Sequence, residues 1–479
     1  MASQHTICGS TLDVVRTLAA AGVQPPALWL VTAGAPESAS LPGSPALLQS
    51  TLWGLGRVVM REHPELRCRL VDMAPVVHDE DIDALALEVS SGDDNEEELA
   101  FRRGARFVRR LHRAADHAVV SEKRPPQPDE QWGAHIGTPG ALQTLEFRPR
   151  PLATLDADRV DVRIAAASIN FRDVMLAMGT IPGLEQEPTL GSRQLGLDAA
   201  GTVVACGSRA ERFKPGDAVM GIVAGAFGSR GTTAEALLVR KPARLDFEQA
   251  ACVPCVFVTA HYALNHLARL REGERVLIHS AAGGVGLAAI QFAKAAGAEI
   301  FATAGSDEKR AYLASLGIRH VMDSRSTAFA DEILRITGGE GVDVVLNSLA
   351  GDALAAGLRV LRPFGRFLEI GKRDIYADAQ LGLLPFRKNL SLHAIDLDRL
   401  CVERPSFVGT LLSEVADRFD SGQLQPLPQR SWPISQLEEA MRLMAQARHT
   451  GKMALSIDDP GVALSGPRAR AALCRVDGT

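Results

Sequence analysis

The stretch RVLIHSAAGGVGLAAIQFAKAAGAEIFATAGSDEKR (275–310) carries the strongest fold signal in the chain. The apolar run RVLIHS leads into the glycine-rich sequence AAGGVG (281–286). An apolar helical pattern and a second apolar run, AEIFATA (298–304), follow it. A strand that turns tightly into a helix places the helix N-terminus where it can face a pyrophosphate. The stretch therefore predicts a β–α–β unit that binds a dinucleotide.

The small residues of the turn support this interpretation. Ala281, Gly283 and Gly286 occupy the three small-residue positions of the dinucleotide fingerprint, with alanine in place of the first glycine. A glycine-rich turn alone can also be a plain strand–helix junction, but the flanking strands and helix argue against that alternative. We assign Ala281, Gly283, Gly284, Val285 and Gly286 to cofactor binding.

The end of the second predicted strand indicates which cofactor is bound. NAD sites usually carry Asp or Glu about 20 residues after the first glycine position, to bond the ribose 2′-hydroxyl. Here the strand ends in ATAGS (302–306), and the first acid is Asp307. Ser306, Lys309 and Arg310 supply a hydroxyl and two cations that suit a 2′-phosphate, which favours NADPH. The alternative is that Lys309 and Arg310 are only the solvated face of a helix start.

The texture of the chain changes between its middle and its later part. Residues 136–265 consist of short strands with Gly and Pro turns, which are typical of a β-rich, barrel-like domain. Over 266–394 short apolar runs alternate with helical patterns, which predicts a Rossmann-type, doubly wound parallel sheet with helices on both faces. The predicted strands there are RVLIHS, AEIFATA, DVVLNSL (343–349), RFLEIG (366–371) and LSLHAIDL (390–397). Residues 395–460 are predicted to return to the β-rich domain.

The beginning and end of the chain have their own patterns. Residues 1–115 alternate apolar runs with a helical pattern, as in ALWLVTAGA (27–35), LLQSTLWGLGRVVMREHPEL (47–66) and CRLVDMA (68–74), which predicts an α/β unit. Residues 116–135 are polar and proline-rich, so we predict a linker there. Residues 461–479 are predicted to be a polar linker tail without a core of their own.

Composition and charge exclude several classes of protein. The 479 residues are 46% hydrophobic and carry a formal net charge of −5, which gives no basic field for nucleic acid. Seven scattered cysteines favour reduced thiols in the cytoplasm. The chain opens without a secretory pattern, and no apolar run approaches the roughly 18 residues of a membrane span. We therefore expect a cytoplasmic globular protein without nucleic-acid or membrane partners.

Ordered motifs across 136–460 resemble one superfamily. They are INFRDVMLAMG (169–179), LGLDAAGTVV (195–204), FKPGDAVMGI (213–222), VPCVFVTAHYAL (253–264), the glycine-rich turn, GVDVVLNSLAGDAL (341–354), GRFLEIGKRDI (365–375) and MAQARHTGKMALS (444–456). Through them the chain resembles the medium-chain dehydrogenases/reductases, and most closely the quinone-reductase-like branch that includes enoylreductase domains of modular polyketide synthases. The resemblance implies that the β-rich part is a GroES-like substrate domain. It also implies NADPH-dependent reduction of an enoyl thioester carried on acyl carrier protein.

The resemblance implies chemistry without zinc. Zinc-dependent members have Cys at the position of Asn170 and Gly-His-Glu at the positions of Gly196, Leu197 and Asp198. Asn170 and Leu197 cannot supply those ligands, and the four-cysteine lobe that binds a structural zinc is missing. We therefore expect no metal site. The single Cys-x-x-Cys pair in ACVPCVF (251–257) is interpreted as helix packing.

Residues 1–115 resemble the non-catalytic half of a polyketide-synthase ketoreductase. The matching segments are LWLVTAGA (28–35), WGLGRVVMREHPEL (53–66), RLVDMA (69–74) and FRRGARFVRRL (101–111), which we expect to form a strand. This half has no glycine-rich turn and no Tyr-x-x-x-Lys pair, so we assign it no catalysis. The resemblance implies a part of a larger multienzyme, with the catalytic ketoreductase half and other synthase domains as partners.

The resemblance places two residues in the chemistry. Lys372 in EIGKRD and Asp396 in HAIDLD match the pair proposed as proton donors in polyketide enoylreductases. Lys372 follows the carboxyl end of a predicted strand, the edge where open α/β sheets bind ligands. Two alternatives stay open. The pair could be a structural ion pair, and water could deliver the proton.

Other residues are expected around the reacting groups. Asn170 follows a strand and should shape the substrate pocket, unless it only stabilises a turn. Asn347 and Ser348 end a strand beside the expected nicotinamide. Thr259 lies at the inter-domain cleft, and Gly371 ends the RFLEIG run. We assign Asn347, Ser348, Thr259 and Gly371 to cofactor binding.

Ile181, in LAMGTIPG (176–183), departs from the family pattern. Many members have Tyr near this place in the substrate pocket, where it is linked to one configuration of an α-methyl centre. Ile cannot donate a proton, so a mechanism that relies on that Tyr fails here. The resemblance then implies the outcome associated with an apolar residue. His279, which ends the strand before the glycine turn, is interpreted as a hydrogen-bonded structural histidine.

Three functions from different classes remain. The first is the enoylreductase region of a polyketide synthase, which we favour. The second is a free-standing quinone or enal reductase, and the extra region 1–115 argues against it. The third is a degenerate scaffolding domain, and the glycine turn together with Lys372 argues against that.

Overall fold

The computed structural model describes residues 2–20, 26–35, 47–91, 96–109, 123–151, 154–181, 190 and 194–466. These residues fall into two compact units, Met1–Val120 and Ser121–Pro467. Among the described helices, none combines the length and the apolar character that a membrane crossing requires.

The first unit contains a small α/β sheet. Its elements are α1 (Ala2–Ala20), β1 (Trp29–Ala33), α2 (Leu47–Glu62), β2 (Arg69–Met73), α3 (Asp79–Ser91), β3 (Glu98–Arg102) and β4 (Ala105–Val108). The strands are ordered β1-β2-β3-β4, with two parallel pairs and a final antiparallel one. The predicted Rossmann-like α/β unit is confirmed.

One predicted element of this unit is different in the structure. The segment FRRGARFVRRL, predicted as one strand, contains the hairpin of β3 and β4. Arg103 and Gly104 both have positive φ angles, 51° and 74°, and two such residues in succession make the tight turn of a hairpin. Residues 110 and 111 lie outside the described part of the chain.

The second unit contains the β-rich and the doubly wound parts. Its elements are β5 (Lys123–Arg124), β6 (Trp132–Ile136), β7 (Leu145–Pro149), β8 (Arg159–Ser168), α4 (Phe171–Ala177), β9 (Asp198–Cys206), β10 (Ala218–Ile222), β11 (Arg230–Ala234), β12 (Leu238–Arg240), α5 (Phe247–Ala251), α6 (Pro254–His261), β13 (Arg275–Ile278), α7 (Gly284–Ala295), β14 (Glu299–Ala304), α8 (Asp307–Ser315), β15 (His320–Asp323), α9 (Ala328–Ile336), β16 (Val342–Asn347), α10 (Asp352–Arg359), β17 (Leu361–Glu369), α11 (Arg373–Tyr376), β18 (Ser391–Ala394), α12 (Leu397–Glu403), α13 (Pro405–Asp420), β19 (Gln429–Pro433), α14 (Leu437–Ala445), β20 (Lys452–Ser456) and β21 (Leu464–Ser465).

The β-rich part is built from two sheets. A seven-stranded sheet has the order β12-β10-β9-β8-β20-β19, and β11 also pairs with β8. A four-stranded sheet has the order β5-β21-β7-β6. Strands β19 and β20, which come from the later part of the chain, lie in the seven-stranded sheet beside β8. The predicted GroES-like, β-rich fold is confirmed.

The doubly wound part is a six-stranded, all-parallel sheet in the order β15-β14-β13-β16-β17-β18. The five predicted strands are present, and β15 was not predicted. The order reverses between β13 and β16, so the connections leave a crevice at the carboxyl ends of these two strands. Large apolar side chains from the strands and helices, such as Phe292, Phe301 and Phe367, are almost completely buried. The predicted Rossmann-type fold is confirmed.

Two segments predicted to be linkers contribute to the core. The interval 116–135 contains β5 and most of β6, and its residues up to 122 lie outside the described part. The Trp132 ring is 5% exposed and packs edge-to-face on Phe147, with ring centroids 5.4 Å apart. In the tail, Leu464 of β21 is fully buried. The prolines and charged residues lie in the connection between β5 and β6. Trp132, a single aromatic residue, anchors β6 in the core.

This packing predicts which truncation keeps a stable reductase unit. A chain of residues 121–467 should retain the stability and turnover of the unit, since we assign residues 1–115 no chemistry. A chain of 136–460 removes Trp132 and Leu464, and removing one large buried side chain typically costs about 3–5 kcal/mol. Urea unfolding should therefore give a clearly lower midpoint for the shorter chain. Equal midpoints, or a well-folded but inactive 121–467 chain, would contradict this interpretation.

Candidate active site

A large cavity opens at the carboxyl ends of β13, β16 and β17. Its volume is about 1280 Å³, above the roughly 300–1,000 Å³ typical of pockets for drug-sized ligands. Of the residues that the sequence assigns to the site, those lining the cavity are Asn170, Ile181, Thr259, Gly283, Gly284, Val285, Gly286, Ser306, Lys309, Ser348, Gly371, Lys372 and Asp396. Ala281, Arg310 and Asn347 are not among the lining residues.

The glycine-rich turn has the geometry that a pyrophosphate needs. A Cβ atom at Gly286 would lie 2.5 Å from Ala281 Cα, so this position must be glycine. The Ala281 amide donates to Thr303 O at 2.9 Å, which ties the turn to the neighbouring strand β14. Helix α7 begins at Gly284, and Gly284, Val285 and Gly286 of its first turn line the cavity, where the free N–H groups of a helix start can bind a phosphate.

Two buried ring nitrogens indicate that a ligand completes this site. His279 Nε2 and His449 Nδ1 are buried and have no hydrogen-bond partner among the described residues, and both histidines line the cavity. Burial lowers the pKa of His279 to about 3, so its ring is neutral. Its Nδ1 lies 2.9 Å from Thr303 Oγ1, as a structural histidine requires, while Nε2 is left for a bound group. The cavity therefore fits a dinucleotide.

The end of the cavity beyond β14 holds cations, although not the pair that was predicted. Ser306 caps α8, and Lys309 lines the cavity with its Nζ 2.7 Å from Ala447 O. Arg310 does not line the cavity. Its guanidinium donates to Ala304 O at 3.1 Å and pairs with two carboxylates, so it braces the helix start. Arg325 lines the cavity in its place.

Arg325 and Ser324 were missed because β15 was missed. A Cβ atom at Gly305 would lie 3.5 Å from Arg325 Nε and 3.5 Å from Ser324 Oγ, so both side chains flank the loop after β14. The sequence DSRS (323–326) directly follows β15, which lies beside β14 in the sheet. A short strand at a sheet edge gives only a weak periodic signal.

Lys372 and Asp396 meet at the cavity wall. Lys372 Nζ lies 2.8 Å from Asp396 Oδ1, and the two side chains are 31% and 33% exposed. Lys372 follows β17 and Asp396 follows β18, and the parallel pairing of these strands brings their carboxyl ends together. Asp396 Oδ1 also accepts from the Arg399 amide at 3.2 Å, which caps α12. The contact agrees with a structural ion pair and with a proton-donating pair.

Glu369 is a second acid in the cavity wall that the sequence analysis missed. It is 4% exposed, and its carboxylate accepts from Asn347 Nδ2 at 2.5 Å and from the Gly371 amide at 2.6 Å. Burial raises its pKa to about 7, although these hydrogen bonds oppose the shift. The Asn347 side-chain amide therefore holds two groups, the Glu369 carboxylate and the Leu349 carbonyl oxygen. The sequence does contain a signal for this residue, because Glu369 is the one acid in the run RFLEIG (366–371).

Asn170 belongs to a buried polar cluster where related enzymes bind zinc. Lys452 Nζ donates to Asn170 Oδ1 at 2.8 Å and to Asp198 Oδ2 at 3.2 Å, and Asn170 Nδ2 donates to the same Asp198 oxygen at 2.9 Å. Burial disfavours the charge on Lys452, but Asp198 more than offsets this, so the pKa of the ammonium is raised.

This cluster does not fit a catalytic zinc. An ammonium has no lone pair to offer a metal, and its charge repels a divalent cation. Lys452 is 2% exposed and Asp198 fully buried, so the ion pair fills the place instead. Asn170 does more than stabilise a turn, because its amide bridges the two charges at the cavity wall.

Another part of the cavity wall is largely apolar. Ile181, Met175 and Leu197 line it together with Thr180 and Thr259. The cavity thus combines a glycine-rich turn and cations with an apolar wall. This is the arrangement of a medium-chain dehydrogenase/reductase, with a GroES-like part joined to a doubly wound nucleotide-binding part.

Comparisons with known proteins agree with this class. Residues 156–245 match the alcohol dehydrogenase GroES-like domain, and residues 316–455 match a family model described as zinc-binding dehydrogenase. Residues 1–111 match the Rossmann fold domain of polyketide synthase extender module SpnB. The mycocerosic acid synthase-like polyketide synthase of Mycolicibacterium smegmatis is 41% identical over 454 residues, and the match covers 94% of this chain and 21% of that protein. The chain thus spans about a fifth of the length of the curated relatives it matches.

Solved structures identify the family more closely. The CurK enoyl reductase is 39% identical, with a TM-score of 0.63, and the match covers 68% of this chain and 99% of that one. Escherichia coli quinone oxidoreductase, solved with NADPH, is 25% identical, with a TM-score of 0.60, and the match covers 68% of this chain and 100% of that one. The chain belongs to the enoyl reductase family of polyketide synthases.

Proposed function

We propose that this chain is an enoyl reductase that uses NADPH to reduce the α,β double bond of an enoyl thioester carried on acyl carrier protein. The observation that carries the proposal is the single cavity that joins the glycine-rich turn to the Lys372–Asp396 pair. When bound, NADPH supplies the hydride that is added to Cβ. The electron pair of the double bond then forms the new bond between Cα and a proton.

The chain's own residues supply orientation and the proton. The turn Gly283–Gly286 and the N-terminus of α7 hold the pyrophosphate, and Ser348 and Gly371 line the nicotinamide end. Lys372 faces the cavity as a cation, so it can stabilise the enolate oxygen that develops when Cβ becomes saturated. The one transferable proton that Lys372 and Asp396 share then passes to Cα, from Lys372 or from Asp396, and the pair is left with one proton fewer. The apolar wall around Ile181 holds the acyl chain.

The preference for NADPH rests on the cationic end of the cavity. That end is lined by Lys309, Arg325, Ser306 and Ser324. Among the described residues, no carboxylate lines the cavity next to them. Two cations and two hydroxyls suit a 2′-phosphate, whereas a ribose 2′-hydroxyl is usually held by an acid.

The relatives support a proposal about the partners. These relatives are large polyketide synthases, so we propose that this chain works beside other synthase domains and receives its substrate from acyl carrier protein. Residues 1–111 match a Rossmann fold domain of a polyketide synthase extender module. Because they also resemble the non-catalytic half of a ketoreductase, we propose that they pair with the catalytic half. A free-standing quinone or enal reductase is less favoured, because such an enzyme has no need of that unit.

An assay of NADPH oxidation tests the proposal directly. Enoyl thioesters of pantetheine and of acyl carrier protein, with and without an α-methyl group, should be reduced, and the carrier-bound forms should have the higher kcat/KM. Quinones and free enals serve as the comparison. Faster turnover of a quinone or an enal than of every thioester would overturn the assignment.

Metal independence of catalysis is a further expected result. Prolonged treatment with EDTA or 1,10-phenanthroline should leave turnover unchanged, because the Lys452 ammonium occupies the place of a catalytic metal. The measurement is the rate before and after dialysis against chelator, with zinc content determined in parallel. Loss of activity that added zinc restores would show that a metal takes part in the reaction.

A further inference from the structure

Outside the cavity, two helices bring together three side chains with metal-ligand chemistry. His261 ends α6, His266 lies in the π-helical turn Tyr262–Leu267 that continues it, and Glu414 lies on α13. One ligand atom from each of the three lies within 4.8 Å of the others. His261 Nε2 lies 2.5 Å and His266 Nε2 3.3 Å from Glu414 Oε2. None of them lines the active-site cavity.

The π-helical turn is what makes this arrangement possible. In a regular α-helix, residues five apart point in clearly different directions. A π-helix has more residues per turn, so His266 is rotated back towards the side of His261. The two rings are 5.0 Å apart between centroids and nearly perpendicular. π-Helical turns of this kind occur frequently at functional sites.

We propose that His261, His266 and Glu414 bind a divalent transition metal, best matched by zinc. Two imidazoles and one carboxylate are a common zinc donor set, with a fourth position left to water. With bonds of about 2.0–2.2 Å, a tetrahedral zinc holds its ligand atoms roughly 3.3–3.6 Å apart. The closest two ligand atoms, His261 Nε2 and Glu414 Oε2, are 2.5 Å apart, which is shorter than this separation. All three ligand atoms lie within 4.8 Å of one another, which is longer than it. Small side-chain adjustments therefore suffice to place the three atoms around a metal.

The surroundings supply both an anchor and access. His261 is 2% exposed and stacks on Phe292 with centroids 5.2 Å apart, so its ring is held in place. His266 and Glu414 are 33% and 41% exposed, so the metal and its water ligand can reach them from solvent. His261 Nδ1 lies 2.8 Å from the side-chain amide of Asn265.

Asn265 can support a bound metal after one rotation of its amide. A metal on Nε2 places the imidazole proton on Nδ1, and a metal-bound histidine usually donates this proton to an oxygen. Turning the Asn265 amide by half a turn presents its Oδ1 to Nδ1. A metal held here would link α13 to the π-helical turn Tyr262–Leu267, because its ligands Glu414 and His266 are 148 residues apart in the chain. This role is separate from the proposed reductase chemistry.

Titration of the whole chain with zinc chloride tests the proposal. Chelator-stripped protein should bind one zinc per chain with a micromolar or lower dissociation constant, and saturation should raise the thermal midpoint by a few degrees. Cobalt(II) should give the absorption of a tetrahedral site. His266→Ala and Glu414→Gln should each weaken binding by at least about 100-fold, since even the loss of an outer hydrogen bond costs 10–100-fold.

A matched histidine provides the control. His320 pairs with Glu299 at 3.1 Å in the same way, without a second histidine, so His320→Ala should bind zinc as the original chain does. Reductase turnover should be the same with and without zinc and in His266→Ala, which separates this site from the reaction. The absence of binding, or equal weakening by His320→Ala, would overturn the proposal.

Discussion

Replacing Lys372 by alanine should lower enoyl thioester turnover by about 10²–10⁴-fold, the usual contribution of a positioned proton donor. NADPH affinity should change little, because the cofactor is held at the glycine turn and at the cationic end of the cavity. Lys372 Nζ is tied to Asp396 at 2.8 Å at the cavity wall. Steady-state kinetics and fluorescence titration with NADPH measure the two quantities separately.

A second lysine between β17 and β18 serves as the control. Lys388 Nζ donates to Leu361 O at 2.7 Å and does not line the cavity. Lys388→Ala should therefore leave turnover near that of the original chain. A loss of turnover in Lys388→Ala equal to that in Lys372→Ala would mean that general destabilisation explains both.

Asp396→Asn separates the charge of Asp396 from its capping role. Asparagine caps helices about as well as aspartate, so α12 should keep its N-cap while the ion pair with Lys372 is lost. A smaller effect than that of Lys372→Ala would indicate that Asp396 orients the lysine. An equal effect would indicate that Asp396 carries the proton.

The double variant and the product configuration decide between the remaining interpretations. If Lys372 and Asp396 act as a unit, the double variant should be no slower than the worse single variant, because residues acting together are strongly non-additive. If water delivers the proton after hydride transfer, rates should fall little and the configuration at Cα should become mixed. Normal rates with unchanged configuration in both single variants would remove the pair from catalysis and leave a structural ion pair.

Local sequence patterns are sufficient to predict the backbone elements that surround the site. The glycine turn and the strands around it could be predicted because each depends on residues close together in the chain. The pairing of Lys372 with Asp396 also follows from neighbouring parallel strands, once the family resemblance is known.

The missed residues depend on contacts between distant parts of the chain. Lys452 is 254 residues from Asp198 and 282 from Asn170, and no periodicity reports such a contact. Arg325 follows β15, whose four residues, HVMD, include only two apolar ones. Arg310 carries the right charge, but two local carboxylates engage it, which only the side-chain geometry reveals.

Cofactor preference gives the second large expected effect. NADPH should bind much more tightly than NADH, because a hydrogen bond to a charged group is worth about 1.5–3 kcal/mol and several would be lost without the 2′-phosphate. Lys309→Ala and Arg325→Ala should each weaken NADPH binding by about tenfold or more and leave NADH binding nearly unchanged. The double variant should bind both cofactors almost equally, as measured by fluorescence titration at fixed ionic strength.

Arg310→Gln is the matched control, because it removes a neighbouring cation that does not line the cavity. Its bonds to Ala304 O and Asp323 brace the start of α8, so its loss should lower the thermal midpoint more than it changes the ratio of the two affinities. Arg310→Gln could instead abolish the preference for NADPH over NADH while Arg325→Ala retains it. In that case Ser306, Lys309 and Arg310, the residues assigned from the sequence, bind the 2′-phosphate. Equal affinities of the original chain for NADPH and NADH would refute both assignments.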